Sequence, residues 1–469
     1  MDTLPEEILL QVFAFYTCED YDDEEWVTLV HVCQRWRSIV FAAPRRLNLQ
    51  LICTSETPVS KMLDIWPALP IYILVPSMSI INDNVLAALE EHDRIFKVHV
   101  HYASALELED LAGAMQVTFP ALTDLSIRSC DDTVSFSKSF LGGSAPNLRS
   151  LELARITFPA LPKLLLSSPG LVHLSLFEVA HFGDVSSNAM VEFLSSLAGL
   201  ETLEIDFPSM QFWHTRESRC SGTPAHLTRI IFPVLRIIHL KGEEEYLEQI
   251  LAHIAAPSLD SVYIGFLGPT IFDISRISQW IGRTEMFEAF DQAYMLFDDV
   301  RSIVMLSSRK GATGDKMLRL SLEWVDSAWK LPDLTLDSRD HFFEPFHLCK
   351  FEGSLPPSWA NVMGNAPWLY LIRIFTATEY IYLSQGVAAL VAPALQELNG
   401  TGSAEVLPVL RNIFVERLDT SGAVQEAIGQ FVATRQLLSS HPIDVQCWMS
   451  EMDPTNQDVG DESQSHYVS

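Results

Sequence analysis

Apolar positions along the chain follow two periods, and the change comes near residue 46. Before it, Leu4, Ile8, Leu9, Val12 and Phe13 fall at helical spacing on one stripe. Thr3, with Glu6 three residues on, forms a capping-box start, and Pro5 is tolerated in a first turn. An acidic break follows from Cys18 to Glu25. A second helix is then expected to carry Trp26, Leu29, Val30, Cys33, Trp36 and Val40 on one broad face and to stop before Pro44. The two helices expose more apolar surface than so small a unit can hide. The opening module is therefore expected to dock on a partner, although an ordinary helical hairpin capping the next domain shares the pattern.

After residue 46 the period becomes two. Leu47, Leu49 and Leu51 alternate with Asn48, Gln50 and Ile52, which predicts a strand over 46–53. An L-x-x-L-x-L unit then recurs at Leu122, Leu148, Leu171, Leu200, Leu235 and Leu259, with weaker copies at Ile95, Met317 and Leu410. The first leucines of the clear copies stand 26, 23, 29, 35 and 24 residues apart, close to the roughly 20–29 of leucine-rich repeats. Helices are expected between them at 106–115, 161–166, 189–197 and 246–254, covering the outer side of a solenoid whose strands line the inner side. Asn or Cys three positions after the last strand leucine occurs only at Cys130, so the solenoid should be irregular. Residues 208–229 and 307–316 read as turn-rich insertions, 324–372 shows no stable period, and a last helix is predicted over 421–438.

Composition narrows the function classes. The 469 residues hold 60 acidic against 31 basic side chains, a net charge of −29, which argues against nucleic acid or an anionic membrane as partner. Seven scattered cysteines without a C-x-x-C pair fit a reducing compartment. The acidic start carries no secretory signal pattern, and no apolar run approaches the roughly 20 residues that span a bilayer. The expectation is a soluble cytoplasmic or nuclear protein.

Leu4-Pro5-x-Glu7-Ile8-Leu9 and Val32-Cys33-x-x-Trp36-Arg37 resemble the F-box motif in residue type and order. That resemblance implies binding to a Skp-type adaptor and, through it, to a cullin–RING ubiquitin ligase. Leu4, Pro5, Ile8 and Leu9 would face the adaptor, with Val32 and Trp36 shared between interface and local core. The longer stretches Val32–Phe41 with Pro44–Leu47, Phe140–Pro146 and Gln425–Phe431 resemble basidiomycete (mushroom-type) F-box proteins. Members pair an F-box with a degenerate leucine-rich-repeat-like scaffold, which implies an architecture and a pathway but no client.

Catalytic motifs do not emerge. There is no Walker-type loop, no G-x-S-x-G and no H-E-x-x-H. His99 and His101 share one strand face but lack a third ligand in sequence, so both are expected on the solvated face. Cys33 lies on an apolar helix face without an activating base, which favours a packed thiol. Positions between the inward leucines form two columns: Ser126, Glu152, Ser175, Glu204, His239 and Tyr263, then Arg128, Ala154, Phe177, Asp206, Lys241 and Gly265. Phe177, His239 and Tyr263 are the candidate client contacts, aromatic rings being common interface anchors.

The fold class expected is an α/β solenoid: an all-α F-box over 1–47, an irregular leucine-rich-repeat-like scaffold over 48–450, and a disordered acidic tail over 451–469. The function expected is substrate recognition in an SCF-type ubiquitin ligase, with no enzymatic activity, cofactor or metal of its own. The rival is a repeat scaffold acting outside ubiquitylation.

Overall fold

The computed structural model describes residues 4–16, 25–44, 46–131, 134–179, 187–207, 229–267, 280, 284, 290–297, 301–307, 317–323, 347–353, 368–369, 372–373, 375–398, 406–416, 422–438 and 442–448. Thr3, 208–228, 308–316, most of 324–372 and the 451–469 tail lie outside them. The chain forms two compact units, Met1–Val185 with Glu192–Leu200, and Ser186–Val191 with Glu201–Ser469.

Among its described residues the opening module holds three helices, α1 (Glu6–Tyr16), α2 (Glu25–Val32) and α3 (Gln34–Ala42), where the periodicity predicts two. Cys33 is the break. Its backbone is extended (φ −161°, ψ 166°), and its Sγ accepts the Trp36 N–H at 3.5 Å as the cap of α3. A thiol thus stands where Ser, Thr or Asp usually satisfies the first free amides. Cys33 is therefore an exposed cap rather than a packed thiol. Arg37 spans the break by donating from Nε to the Val30 carbonyl at 3.0 Å.

The first unit continues through β1 (Leu51–Cys53), α4 (Val59–Ile65), β2 (Ile71–Val75), α5 (Asp83–Leu89), β3 (Ile95–Ala103), α6 (Ala105–Ala114) and β4 (Asp124–Ser129). Next come β5 (Val134–Ser135), β6 (Ser150–Ala154), β7 (Ile156–Thr157), α7 (Leu161–Leu166) and β8 (His173–Phe177), while the residues of α8 (Ser187–Ser195) are divided between the two units. The first unit's parallel strands lie in the order β1-β2-β3-β4-β6-β8, and β5 pairs with β7 beside them. The strand predicted over 46–53 shortens to three residues, because Asn48 turns the backbone at φ 48°. Leu47 and Leu49 are buried all the same.

The second unit runs β9 (Thr202–Asp206), β10 (Ile230–Ile231), β11 (Ile237–Gly242), α9 (Glu244–His253), β12 (Ile254–Ala255), β13 (Ser261–Leu267), β14 (Gln292–Phe297), β15 (Arg301–Ser307) and β16 (Met317–Glu323). It ends in β17 (Leu348–Gly353), β18 (Tyr380–Leu383), α10 (Gln385–Glu397), β19 (Asn412–Glu416), α11 (Gly422–Leu438) and β20 (Asp444–Trp448). Its strand order is β9-β11-β13-β16-β15-β14-β17-β18-β19-β20. The pairs β14–β15 and β15–β16 are antiparallel, a departure from the repeat pattern. Only residues 298–300 separate β14 from β15, too few for a crossover, which takes about a dozen or more.

All six clear L-x-x-L-x-L copies become strands that begin two residues after the first leucine. Parallel pairing puts the copies in phase. In the first unit Leu125, Leu151 and Leu174 share one register row, and Ile127, Leu153 and Leu176 another. In the second the rows are Leu203–Ile238–Val262–Leu318 and Ile205–Leu240–Ile264–Leu320. Every one of these side chains is at most 2 % exposed, and burying each contributes about 1.5–3 kcal/mol. Between repeats, Asn147 donates to the Pro120 carbonyl at 2.8 Å and Ser258 to that of Pro233 at 2.7 Å. The Cys130 thiol donates to the Ala103 carbonyl at 3.3 Å. The chain is thus a helical opening followed by an α/β array of mostly parallel strands with interleaved helices, as leucine-rich-repeat-like solenoids have.

Candidate partner-binding faces

Helix α1 has two apolar faces rather than one stripe. Leu9, Leu10 and Phe13 turn inward, with Phe13 fully buried and its ring 4.7 Å from that of Trp36. Leu4, Ile8, Val12 and Phe15 point outward, exposed by 42, 42, 53 and 77 %. Ile8, Val12 and Phe15, at spacings of four and three residues, share one side of the helix, and Leu4 lies just before its first turn. Pro5 precedes the first turn and leaves its carbonyl to accept the Leu9 N–H at 3.2 Å. Arg35, on α3, donates from Nη2 to the Leu4 carbonyl at 2.5 Å, so the start of the outward face is tied to the body of the module.

The module is seated on the first repeat. The Trp26 indole donates to the Gln50 carbonyl at 3.0 Å, and its ring lies edge-on to Trp66 at 5.3 Å. Phe41 closes the cluster at 6.1 Å from Trp26 and 6.0 Å from Trp66.

On the strand face away from the leucine rows, the first unit carries a polar cluster. Lys97 Nζ lies 4.7 Å above the Tyr72 ring, and the Tyr72 hydroxyl is 3.2 Å from His99 Nδ1. The His99 and His101 rings stand 6.1 Å apart at 87°. Both are half-buried rather than solvated. Burial, reinforced by Lys97, His101 and Arg128, lowers His99 to about 3, so it is neutral at ordinary pH. Arg128 pairs with Glu152, which also accepts from Ser126 at 2.7 Å. Among the described residues no group of three or more His, Cys, Asp or Glu side chains is placed to hold a metal ion, and no helix is long and apolar enough to cross a membrane.

In the second unit the corresponding face carries an unbroken register row: Glu204–His239–Tyr263–Arg319–Met305–Tyr294–Lys350–Tyr382–Phe414–Gln446. All but the exposed Gln446 are half-exposed. The His239 and Tyr263 rings lie 4.2 Å apart, the Arg319 guanidinium sits 5.3 Å from the Tyr263 ring centre, and Lys350 Nζ lies 5.3 Å from that of Tyr294. Tyr382 stacks on Phe414 at 4.3 Å and 9°. Burial, then Lys241 and Arg319, holds His239 down at about 4.

The residues singled out from sequence fall as follows. Leu4, Pro5, Ile8 and Val32 are exposed, Trp36 is half-buried against Phe13, and Leu9, at 2 % exposure, belongs to the module's core instead of its surface. His239 and Tyr263 are brought together; Phe177, half-exposed at the end of β8, belongs to the first unit. Val12 and Phe15 were not among the expected surface anchors, although their spacing from Ile8 carried the signal. Arg319, Tyr294, Lys350, Tyr382 and Phe414 were also missed. Their alternation is visible in Met317–Leu322 and Tyr380–Leu383, but only the pairing register joins them.

A family model for F-box-like domains matches residues 1–45, so the chain opens with an F-box-like domain. No curated protein and no solved structure matches the chain.

Proposed function

We propose that the chain is the substrate-recognition subunit of an SCF-type cullin–RING ubiquitin ligase. The observation that carries this is the outward apolar face formed by Leu4 and, on α1, Ile8, Val12 and Phe15, within the span that matches F-box-like domains. Such a face is suited to an apolar groove on a Skp-type adaptor, in the manner of a helix laid in a groove. Val32, 54 % exposed at the end of α2, extends it. The cullin joins through the adaptor, and the strand faces of the repeat array, with Phe177, His239 and Tyr263 among them, receive a protein client. The chain contributes recognition and orientation, not bond chemistry, to ubiquitin transfer.

The aromatic seat of Trp26, Phe41 and Trp66 supports this reading, since it holds the adaptor-binding helices on the first repeat. Replacing Leu4, Pro5 and Ile8 together with alanine is expected to abolish co-purification with the adaptor and with cullin. Unchanged recovery of the adaptor defeats the proposal. Recovery of adaptor without cullin from the unaltered chain favours the scaffold reading.

A further inference from the structure

We propose that the outward row of the second unit binds an extended acidic segment of the client, and that Arg319 takes one of its carboxylates. This deepens the receptor reading and rests on it.

Arg319 stands on β16 between Tyr263 and Met305. Its guanidinium lies over the Tyr263 ring, and its Nε is buried with no hydrogen-bond partner. Among the described residues no carboxylate pairs with it. Two positions along the same face is Ser321, 1 % exposed, whose Oγ also lacks a partner. Opposite Ser321 is Gly265. A Cβ there would come within 3.0 Å of Lys241 Cγ and 3.2 Å of Tyr263 Cε1. The missing side chain therefore lets the tyrosine ring and the lysine stem lie against the strand. A half-buried guanidinium with an idle donor weakens a protein standing alone. What satisfies it is an oxyanion, for which its planar fork is shaped.

Charge decides which oxyanion. His239, beside Tyr263, stays neutral down to about pH 4 and adds no second positive charge. Glu204 and Asp206, the register neighbours of His239 and Lys241, stand three strands from Arg319 and so neither pair with it nor decide the charge it takes. One negative charge matches. The chain's net charge of −29 opposes an acidic peptide at long range, but physiological salt screens that field beyond about 8 Å, leaving local pairing to decide.

The row also sets spacing. Lys350, above Tyr294, lies three strands from Arg319. At roughly 4.8 Å per strand that is about 14 Å, or about four residues of extended peptide. The client segment thus carries two acidic residues about four positions apart, with an apolar residue beyond them over the stacked Tyr382 and Phe414.

The test uses the full chain with its adaptor and fluorescence anisotropy of labelled dodecapeptides. One peptide carries two glutamates four apart, a second has glutamines in their place, and a third has phosphoserines. The glutamate peptide is expected to bind at least about tenfold more tightly than the glutamine peptide, the usual effect of one charge-assisted pair. Arg319→Met should lose about the same factor while keeping adaptor recovery and a thermal midpoint at or above that of the unaltered chain. Arg319→Lys, which keeps the charge without the fork, should fall between, and it serves if the methionine variant fails to fold. Equal binding of glutamate and glutamine peptides, undiminished binding by Arg319→Met, or binding of the phosphoserine peptide alone overturns the proposal. Loss of adaptor recovery by the unaltered chain overturns the receptor reading instead.

Discussion

Trp26 donates its indole N–H to the Gln50 carbonyl at 3.0 Å, which links helix α2 to the segment entering the first strand of the array. Trp26 is 3 % exposed and meets Phe41 and Trp66 edge-on, so the bond is enclosed by rings. Trp26→Phe keeps most of the packing but leaves that carbonyl without its donor, a loss of about 1–3 kcal/mol. Trp26→Ala also opens a cavity, and about 3–5 kcal/mol is expected. Denaturant unfolding of the two variants checks the order. Equal losses would mean that the indole N–H contributes nothing.

Two glycines should respond in opposite directions to alanine. Gly113 lies inside α6, where an added Cβ meets nothing within 4 Å. Gly113→Ala should stabilise by about 0.5–1 kcal/mol through helix propensity. Gly142 has φ +64°, and a Cβ there would stand 2.6 Å from Thr118 Cγ2. Gly142→Ala should therefore destabilise, by about 1–3 kcal/mol. Thermal midpoints moving the same way would contradict the backbone geometry at one of the two sites.

What the sequence made legible was whatever a short periodic pattern encodes. The leucine spacing located the repeat strands and their inward rows, because inward rows at period two must align when parallel strands pair, although each strand begins two residues after the first leucine of its copy. The interrupted α2–α3 helix was not legible, since Cys33 fits a helix face as well as it fits a cap. Strand β2 was hidden for a different reason. Ile71, Tyr72, Ile73 and Val75 are all buried, so no polar alternation marks it. Helix α10 was hidden likewise, with Val387, Ala388, Leu390, Val391, Ala392, Ala394 and Leu395 buried around it. The outward row of the second unit depends on the antiparallel return of β15, which no local pattern announces.

Arg155 and Glu178 occupy equivalent positions, two residues past Leu153 and Leu176, and both have left-handed backbones at φ 57° and 50°. Their side chains pair at 2.9 Å while largely exposed, worth at most about 1 kcal/mol. Left-handed conformation costs a residue with a side chain about as much. Glu178→Gly should thus fall within about 1 kcal/mol of the unaltered chain, whereas Glu178→Val, with a branched Cβ at positive φ, should lose clearly more. Urea midpoints in parallel distinguish them. Equal effects would imply that the ion pair, and not the backbone, governs this corner.

His99 and His239 make stability depend on pH. Burial is the leading cause of both lowered values, about 3 and about 4, against 6.5 in an unfolded chain. A histidine whose folded pKa is depressed leaves the native state unprotonated while the unfolded chain takes up the proton. Stability is then full above about pH 6.5 and declines as the pH falls toward the folded values. Each histidine should add a slope approaching about 1.4 kcal/mol per pH unit once the pH is below 6.5. The interval from pH 6.5 to 5.5 stays above the isoelectric point near 4.7. Denaturant titrations there should show a shallower slope for His239→Phe than for the unaltered chain. An unchanged slope would mean that His239 is protonated as readily in the folded protein as in the unfolded one.

The two faces of α1 separate binding from stability. Val12 and Phe15 are exposed and touch the partner in the proposed complex, while Leu9 and Phe13 are enclosed within the module. Phe15→Ser with Val12→Ser removes apolar surface that is already in water, so unfolding stability should change by no more than about 0.5 kcal/mol. Adaptor affinity should drop by about tenfold or more, because these side chains enter a groove only on binding. Leu9→Ala should behave the opposite way, losing about 2–5 kcal/mol of stability from the cavity it leaves. At a temperature where that variant stays folded, its adaptor affinity should change little. Calorimetric unfolding and titration of the purified adaptor, measured on the same preparations, place each variant on both scales. A serine pair that binds the adaptor as tightly as the unaltered chain would remove Val12 and Phe15 from the interface and confine it to Leu4, Pro5, Ile8 and Val32.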